Sequence, residues 1–244
     1  MTKQVFGIGI TELTSLLTRR SVYCSKKANG IHSIARTFPT DMGNIWFERT
    51  EHTWVGPKCK YCSVRKDVFG READRETYAY KFIHLDDVKV QVSELFGGKM
   101  KFDVVIGNPP YQNTNNNKGS GNTLWNVFVE TALNTWLVNK GYLLYVHPRG
   151  WRQIKNKTGE LMRKKQIVYL NMNNVKMGVK TFNCSTDYDY YLIENSDVYK
   201  ETVINDYNNN EYKYFLNNLV SFIPNHSIEE VFNLVKNTND NGFI

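Results

Sequence analysis

FDVVIGNPPY, residues Phe102–Tyr111, reads as one apolar run that ends in a glycine and then in an amide, two prolines and an aromatic ring. A run of this kind predicts a central parallel strand buried on both faces. In open α/β sheets, ligands sit outside the carboxyl ends of the strands, so Asn108–Tyr111 begins where a site is expected. Two prolines fix φ and remove two backbone donors, which leaves a stiff loop rich in carbonyls. The Asn108 side-chain oxygen and the Pro109 carbonyl make a pair of acceptors, and Tyr111 adds a flat face. Such a set suits a planar amino group, for example the exocyclic amine of adenine. Accepting both amino hydrogens turns the nitrogen lone pair towards an electrophile. No strong base is needed, because the proton can leave after the attack.

Working outward, residues 112–122 form a polar Asn/Gly loop. LWNVFVETALNTWLV then sets Leu124, Val127, Phe128, Thr131, Ala132 and Trp136 on one helical face. GYLLYVHP, IVYLNMNN and DYDYYLIEN read as further strands, and TVINDYNNNEYKYFL as a hairpin turning at 208–210. SIEEVFNLVKN predicts a terminal helix, with Ser227 and Glu230 as a capping box. At the other end, Val5–Ile10 reads as a short strand. Leu13, Leu16 and Leu17 follow at helical spacing, with Thr11 as N-cap. Residues 26–80 lack sustained periodicity. Alternating strands and helices predict a doubly wound α/β sheet finishing in antiparallel strands. The expected division is 1–25 as one β–α unit, 26–95 as an insertion, and 96–244 as the rest of the core.

The chain has 244 residues, with 31 Lys plus Arg against 24 Asp plus Glu, a net charge of +7. A basic balance favours a polyanionic partner, since phosphate contacts release counterions. Arg149, Arg152, Lys155, Lys157, Arg163, Lys164 and Lys165 crowd one stretch opposed by Glu160 alone. That stretch reads either as a solvated face or, with Trp151 and Tyr169 beside it, as a nucleic-acid surface. No apolar run approaches the roughly 18 residues of a membrane span, the N-terminus does not read as a signal peptide, and the cysteines do not form a secreted framework. An intracellular, cytoplasmic protein is expected, in a host cytoplasm if viral.

FDVVIGNPPY resembles motif IV of the S-adenosylmethionine-dependent amino-methyltransferases, whose pattern is (D/N/S)-P-P-(Y/F/W). VFGIGITELTSLLTRRSVYCS is similar to the second β–α unit of restriction–modification type DNA adenine methyltransferases. GNTLWNVFVETAL and GYLLYVHPRGWR resemble the segments after their catalytic loop. LNMNNVKMGVKTFNCSTDYDYYLIE is similar to the later part of such enzymes in phages and large DNA viruses. The likeness covers nearly the whole chain, and its specific part is Asn-Pro-Pro-Tyr. It implies an incomplete Rossmann-like methyltransferase sheet, S-adenosylmethionine as cofactor and double-stranded DNA as partner. Asn108 and Pro109 would hold the target amine, Pro110 would set the loop, and Tyr111 would stack on a flipped-out adenine. Gly107 and Asn108 would border the cofactor. The 112–122 loop would close over DNA, Arg149, Trp151 and Arg152 would lie near the substrate groove, and Phe182 would pack against the flipped base.

The chain departs from this pattern in two places. Gly9 stands where the family carries a ribose-binding acid, so Glu12 would have to substitute. The family's first β–α unit, with its glycine-rich turn, would precede residue 1, and a separate polypeptide could supply it. A restriction nuclease is a further expected partner, although the chain shows no acidic-pair-plus-lysine nuclease signature. Two other readings stand beside the DNA adenine methyltransferase. One is a non-catalytic nucleic-acid-binding remnant, or the subunit of a split enzyme. The other is a protein glutamine methyltransferase, which also carries Asn-Pro-Pro-Tyr; the basic stretch and the insertion speak for the DNA enzyme.

Cys59 and Cys62 have metal-knuckle spacing, and a tetrahedral zinc site needs four ligands. Cys24, His52, Cys59 and Cys62 are the candidate set. Free cysteines near a surface turn are the equal alternative. Cys184 is expected to be packed, His147 to make a structural hydrogen bond, and His84 to be a core or edge residue.

Overall fold

A computed structural model of the chain describes residues 3–61, 65–69, 81, 84, 87–111, 124–217 and 222–240. The 112–122 loop and Cys62 lie outside the described residues. The chain divides into two compact units, one holding the described residues up to Val88 and the other those from Lys89 onward.

In the first unit, β1 (Gly7–Ile8) leads into α1 (Glu12–Tyr23) and pairs in parallel with β2 (Ile45–Trp46). Thr11 caps α1 as expected: its hydroxyl accepts from Thr14 N at 3.1 Å, and the Thr14 side chain accepts from Thr11 N. The buried face of α1 is not the leucine face. Ser15, Arg19 and Tyr23 are buried, whereas Leu13 and Leu17 are 59% and 54% exposed. Arg19 donates to the Ile45 carbonyl, and the Tyr23 hydroxyl accepts from Asn44 N. Polar groups therefore clamp the helix to the start of β2. Gly9 is fixed by the same packing, because a Cβ there would lie 2.6 Å from the Ser15 Cβ. Beyond this lie the hairpin β3 (Trp54–Val55) and β4 (Lys58–Cys59), then α2 (Lys66–Phe69).

After α3 (Val88–Glu94), the second unit is built on a six-stranded mixed sheet. Its strands are β5 (Phe102–Gly107), β6 (Leu137–Pro148), β7 (Gln166–Asn173), β8 (Tyr188–Glu194), β9 (Thr202–Asn205) and β10 (Glu211–Tyr214). The spatial order is β10-β9-β7-β8-β6-β5, with β8 and β10 antiparallel to their neighbours and the other pairs parallel. α4 (Trp125–Thr131) runs on through a π turn, Ala132–Trp136, and carries the crossover from β5 to β6. α5 (Lys157–Arg163) lies between β6 and β7, and α6 (Val175–Phe182) between β7 and β8. α7 (Ile228–Asp240) closes the described chain. The core is drawn from both sheet and helices, with Leu143, Ile167, Leu170, Tyr191, Ile193 and Met162 fully buried.

One expectation about the deciding stretch needs correction. β5 is an edge strand, paired with β6 alone among the described residues. Val104 and Ile106 lie two residues apart, so they share one sheet face, and they are 57% and 72% exposed. The apolar run reported what the strand would bury if covered. No described helix is long and apolar enough to cross a membrane.

Candidate active site

Asn108–Tyr111 leaves the C-terminal end of β5, where Gly107 is in register with Tyr145 of β6. Asn108 is exposed, Pro109 is buried, and Pro110 and Tyr111 are half-buried. Pro109 thus anchors the loop from beneath while Asn108 meets solvent. The Tyr111 carbonyl accepts from Leu124 N at 3.2 Å, which ties the loop to the start of α4. Burial raises the Tyr111 phenol above its ordinary value, partly offset by a hydrogen bond to the Asn108 side chain. A neutral phenol and a primary amide therefore sit side by side.

Tyr188 and Cys184 are the other groups close enough to act on the Tyr111 hydroxyl. Tyr188 opens β8, opposite Pro148 of β6 and Asn173 of β7, so the C-terminal strand ends converge on it. Phe182, the last residue of α6, meets the Tyr188 ring edge-on at 4.9 Å and is 39% exposed. The Thr181 and Tyr188 hydroxyls lie 3.1 Å apart. The end of α6 is held tightly: a Cβ on Gly178 would lie 1.8 Å from the Thr186 carbonyl oxygen. Phe182 therefore packs on Tyr188, and Tyr188 lies near enough to Tyr111 to act on it electrostatically. Sequence reasoning missed Tyr188, since nothing marks one tyrosine out of 15. It also expected Cys184 to be packed, whereas that residue is exposed.

The basic stretch separates into two roles. Trp151 and Arg152 are 0% and 3% exposed. Both donate to Asp189 Oδ2 at 2.8 Å, and Arg152 also reaches the Ile223 carbonyl, Asn225 and the Tyr207 hydroxyl. These two residues do not face a groove; they lock the turn Arg149–Arg152 onto β8. Burial raises the Asp189 carboxyl, while Arg152 and Trp151 hold it down. Arg163 is buried as well, and burial lowers its guanidinium. Arg149 alone of the three proposed groove residues keeps an accessible side chain, 42% exposed and paired with Asp187 at 2.5 Å.

His147, at the end of β6, stacks on Trp125 with ring centroids 4.2 Å apart and planes 12° from parallel. Its Nδ1 lies 2.9 Å from the Pro148 carbonyl, and its Nε2 lies 2.8 Å from the Tyr191 hydroxyl. A carbonyl only accepts, so Nδ1 carries the proton and Nε2 accepts from Tyr191. Burial pushes His147 down to about 4. It is a structural histidine in the floor beneath the loop end.

In the first unit, Glu12 opens α1 and is exposed. His52 and Cys59 are buried and grouped with His84, one donor atom from each lying within 4.8 Å of the others. Cys24, the exposed C-cap of α1, is not in that group. Burial and the nearby His84 ring lower His52 from 6.5, against a smaller opposing effect of Glu51.

A mixed α/β sheet with an Asn-Pro-Pro-Tyr loop at the carboxyl end of a parallel strand has the features of the amino-methyltransferase class. The profile of the Eco57I restriction-modification methylase family matches residues 3–182, and the chain belongs to that family. It is 35% identical over 168 residues to an uncharacterized adenine-specific methylase of Mycoplasma pneumoniae. That match takes in 62% of this chain and 39% of the relative, so the chain spans well under half of the relative's length. Among solved structures, the M protein of the type I restriction enzyme EcoKI is 14% identical, with a TM-score of 0.33, over 43% of this chain and 25% of that one. A structure on the assembly of a type I restriction-modification system is also 14% identical, with a TM-score of 0.36, over 76% of this chain and 47% of that one. Likenesses of that size bear on no functional point.

Proposed function

We propose that the chain is the catalytic portion of a DNA adenine methyltransferase that methylates the exocyclic 6-amino group of adenine. The observation that carries this reading is the placement of Asn108–Tyr111. A solvent-facing amide stands on a proline-stiffened loop at a parallel strand end, beside an aromatic group that can sandwich a base. Adenine would leave the duplex stack and enter against Tyr111, with Phe182 and Tyr188 at its margin. The Asn108 side-chain oxygen and the Pro109 carbonyl would accept the two amino hydrogens. That directs the nitrogen lone pair outward, and the proton leaves for solvent once the new N–C bond has formed.

S-adenosylmethionine would supply the electrophilic methyl group, its sulfonium sulfur departing as a thioether. Gly107 and Asn108 would border it at the end of β5. The donor set fits, because Asn108 is exposed and Gly107 puts no side chain at the strand end. A zinc ion, where the chain holds one, would stabilise the first unit and take no part in transfer.

Duplex DNA is the partner that the basic charge and Arg149 favour. A further β–α unit is the partner that the bare face of β5 favours, with other restriction–modification subunits, a nuclease among them, beyond it. The test is nucleoside analysis of DNA from a host without adenine methylation, with the chain expressed from its native genetic context. The reading expects N6-methyl-2′-deoxyadenosine. N4-methyl-2′-deoxycytidine in its place would refute adenine as the target while leaving amine chemistry intact.

A further inference from the structure

Three turns of local logic bring His52, Cys59 and His84 together. Gly56, with φ of 61°, stands first in the two-residue connection Gly56–Pro57, where tight hairpins require positive φ. The hairpin pairs Trp54 with Cys59, and Lys60 N donates to the Thr53 carbonyl at 2.7 Å. Residues directly opposite share a face, as do residues two apart on one strand. His52, Trp54, Cys59 and Tyr61 therefore lie on a single face of the hairpin. His84 closes over that face, its ring 5.0 Å from His52 and 5.8 Å from Tyr61. The segment bearing His84 is held in turn, since His84 N donates to the Lys81 carbonyl and Lys81 is ion-paired with Glu48.

We propose that His52, Cys59 and His84 form a zinc site that staples the first unit. A thiolate with two imidazoles is the donor set that borderline-soft zinc prefers. All three residues are buried, at 8%, 3% and 6% exposure. The His52 Nδ1 and His84 Nε2 atoms are 3.2 Å apart. Two nitrogens bound to one tetrahedral ion at about 2.0–2.1 Å stand roughly 3.3–3.4 Å from each other, so the rings need almost no movement to share a metal. Three donors among the described residues leave a fourth position of a tetrahedral ion to be filled. The sequence around the hairpin is short of apolar residues, and metal binding free energy would act there as folding free energy. Of the set that the cysteine spacing suggested, Cys24 stands outside this group and Cys62 lies outside the described residues.

The test uses the purified 244-residue chain under reducing conditions, after growth with zinc and, separately, after reconstitution with cobalt(II). Metal content measured against protein should give one zinc per chain. The cobalt form should show tetrahedral d–d bands and a thiolate-to-cobalt charge-transfer band. Cys59→Ser should lose that band, His84→Ala should lose stoichiometric zinc, and Cys24→Ser should keep both. A wild-type chain that holds neither metal at stoichiometry overturns the proposal without recourse to any variant. Full zinc in a folded His84→Ala, or loss of zinc in Cys24→Ser, overturns this ligand set. None of these readouts depends on methyl transfer.

Discussion

At the scale of single residues, burial separates groups that meet substrate from groups that hold the site's frame. The role proposed for Tyr111 is of the first kind, and a base stacked on it would gain roughly 1–3 kcal/mol. Tyr111→Ala is therefore expected to weaken binding of duplexes carrying a mismatched adenine by about 5- to 150-fold, measured by fluorescence anisotropy. Unchanged affinity would reduce Tyr111 to a packing residue. His147 belongs to the second kind. Its folded form titrates near 4 against an ordinary 6.5, so between those values the unfolded chain binds the additional proton. The stability it contributes is fully present above pH 6.5 and is lost as pH falls towards 4, on the order of 3 kcal/mol in all. Urea unfolding at pH 7 and pH 5 should show His147→Gln losing about 2 kcal/mol less than the native chain across that interval. Equal losses would contradict the buried neutral imidazole. The placement of Asn108–Tyr111 as a loop at the end of β5 was legible in sequence because two prolines after a glycine end a strand by themselves. Tyr188 was not legible, since its place depends on three strand ends meeting.

At the scale of elements, the turn Arg149–Arg152 shows why a charge run misleads. Sequence spacing gives the charges but not their direction, and Arg152 points inward to Asp189 while Arg149 stays half-exposed. Removing one partner of a buried ion pair costs about 3–5 kcal/mol. Arg152→Ala should destabilise the chain by that amount in thermal or urea unfolding. Arg149→Ala, whose ion pair is partly solvated, should cost at most about 1 kcal/mol, and should instead weaken DNA binding and flatten its salt dependence. A stable Arg152→Ala with reduced DNA affinity would restore it to the groove. Helix α1 teaches a related lesson. Its N-cap was readable, because Thr11 acts on its own backbone neighbours. Its buried face was not, because Arg19 and Tyr23 pack through hydrogen bonds that hydrophobic periodicity does not register.

At the scale of the whole molecule, the sequence pattern led to a mixed α/β methyltransferase-type sheet, whereas the spatial order β10-β9-β7-β8-β6-β5 was not legible in the texture of the strands. It could not show that β5 is an edge, since an apolar run reports what a strand can bury and not what covers it. Ile106 is 72% exposed, so Ile106→Glu should leave the melting temperature of the chain nearly unchanged. If a further β–α unit covers that face in the working enzyme, the same change should reduce methyl transfer in the native context. Full activity would show the face to be bare in function as well. The central claim remains that Asn108 positions an amine for methylation, and it is tested most directly by Asn108→Ala. In the native context, N6-methyl-2′-deoxyadenosine should disappear while the melting temperature is retained, because an exposed amide at a loop start leaves no cavity when truncated. Undiminished N6-methyl-2′-deoxyadenosine from a folded Asn108→Ala chain would contradict the account.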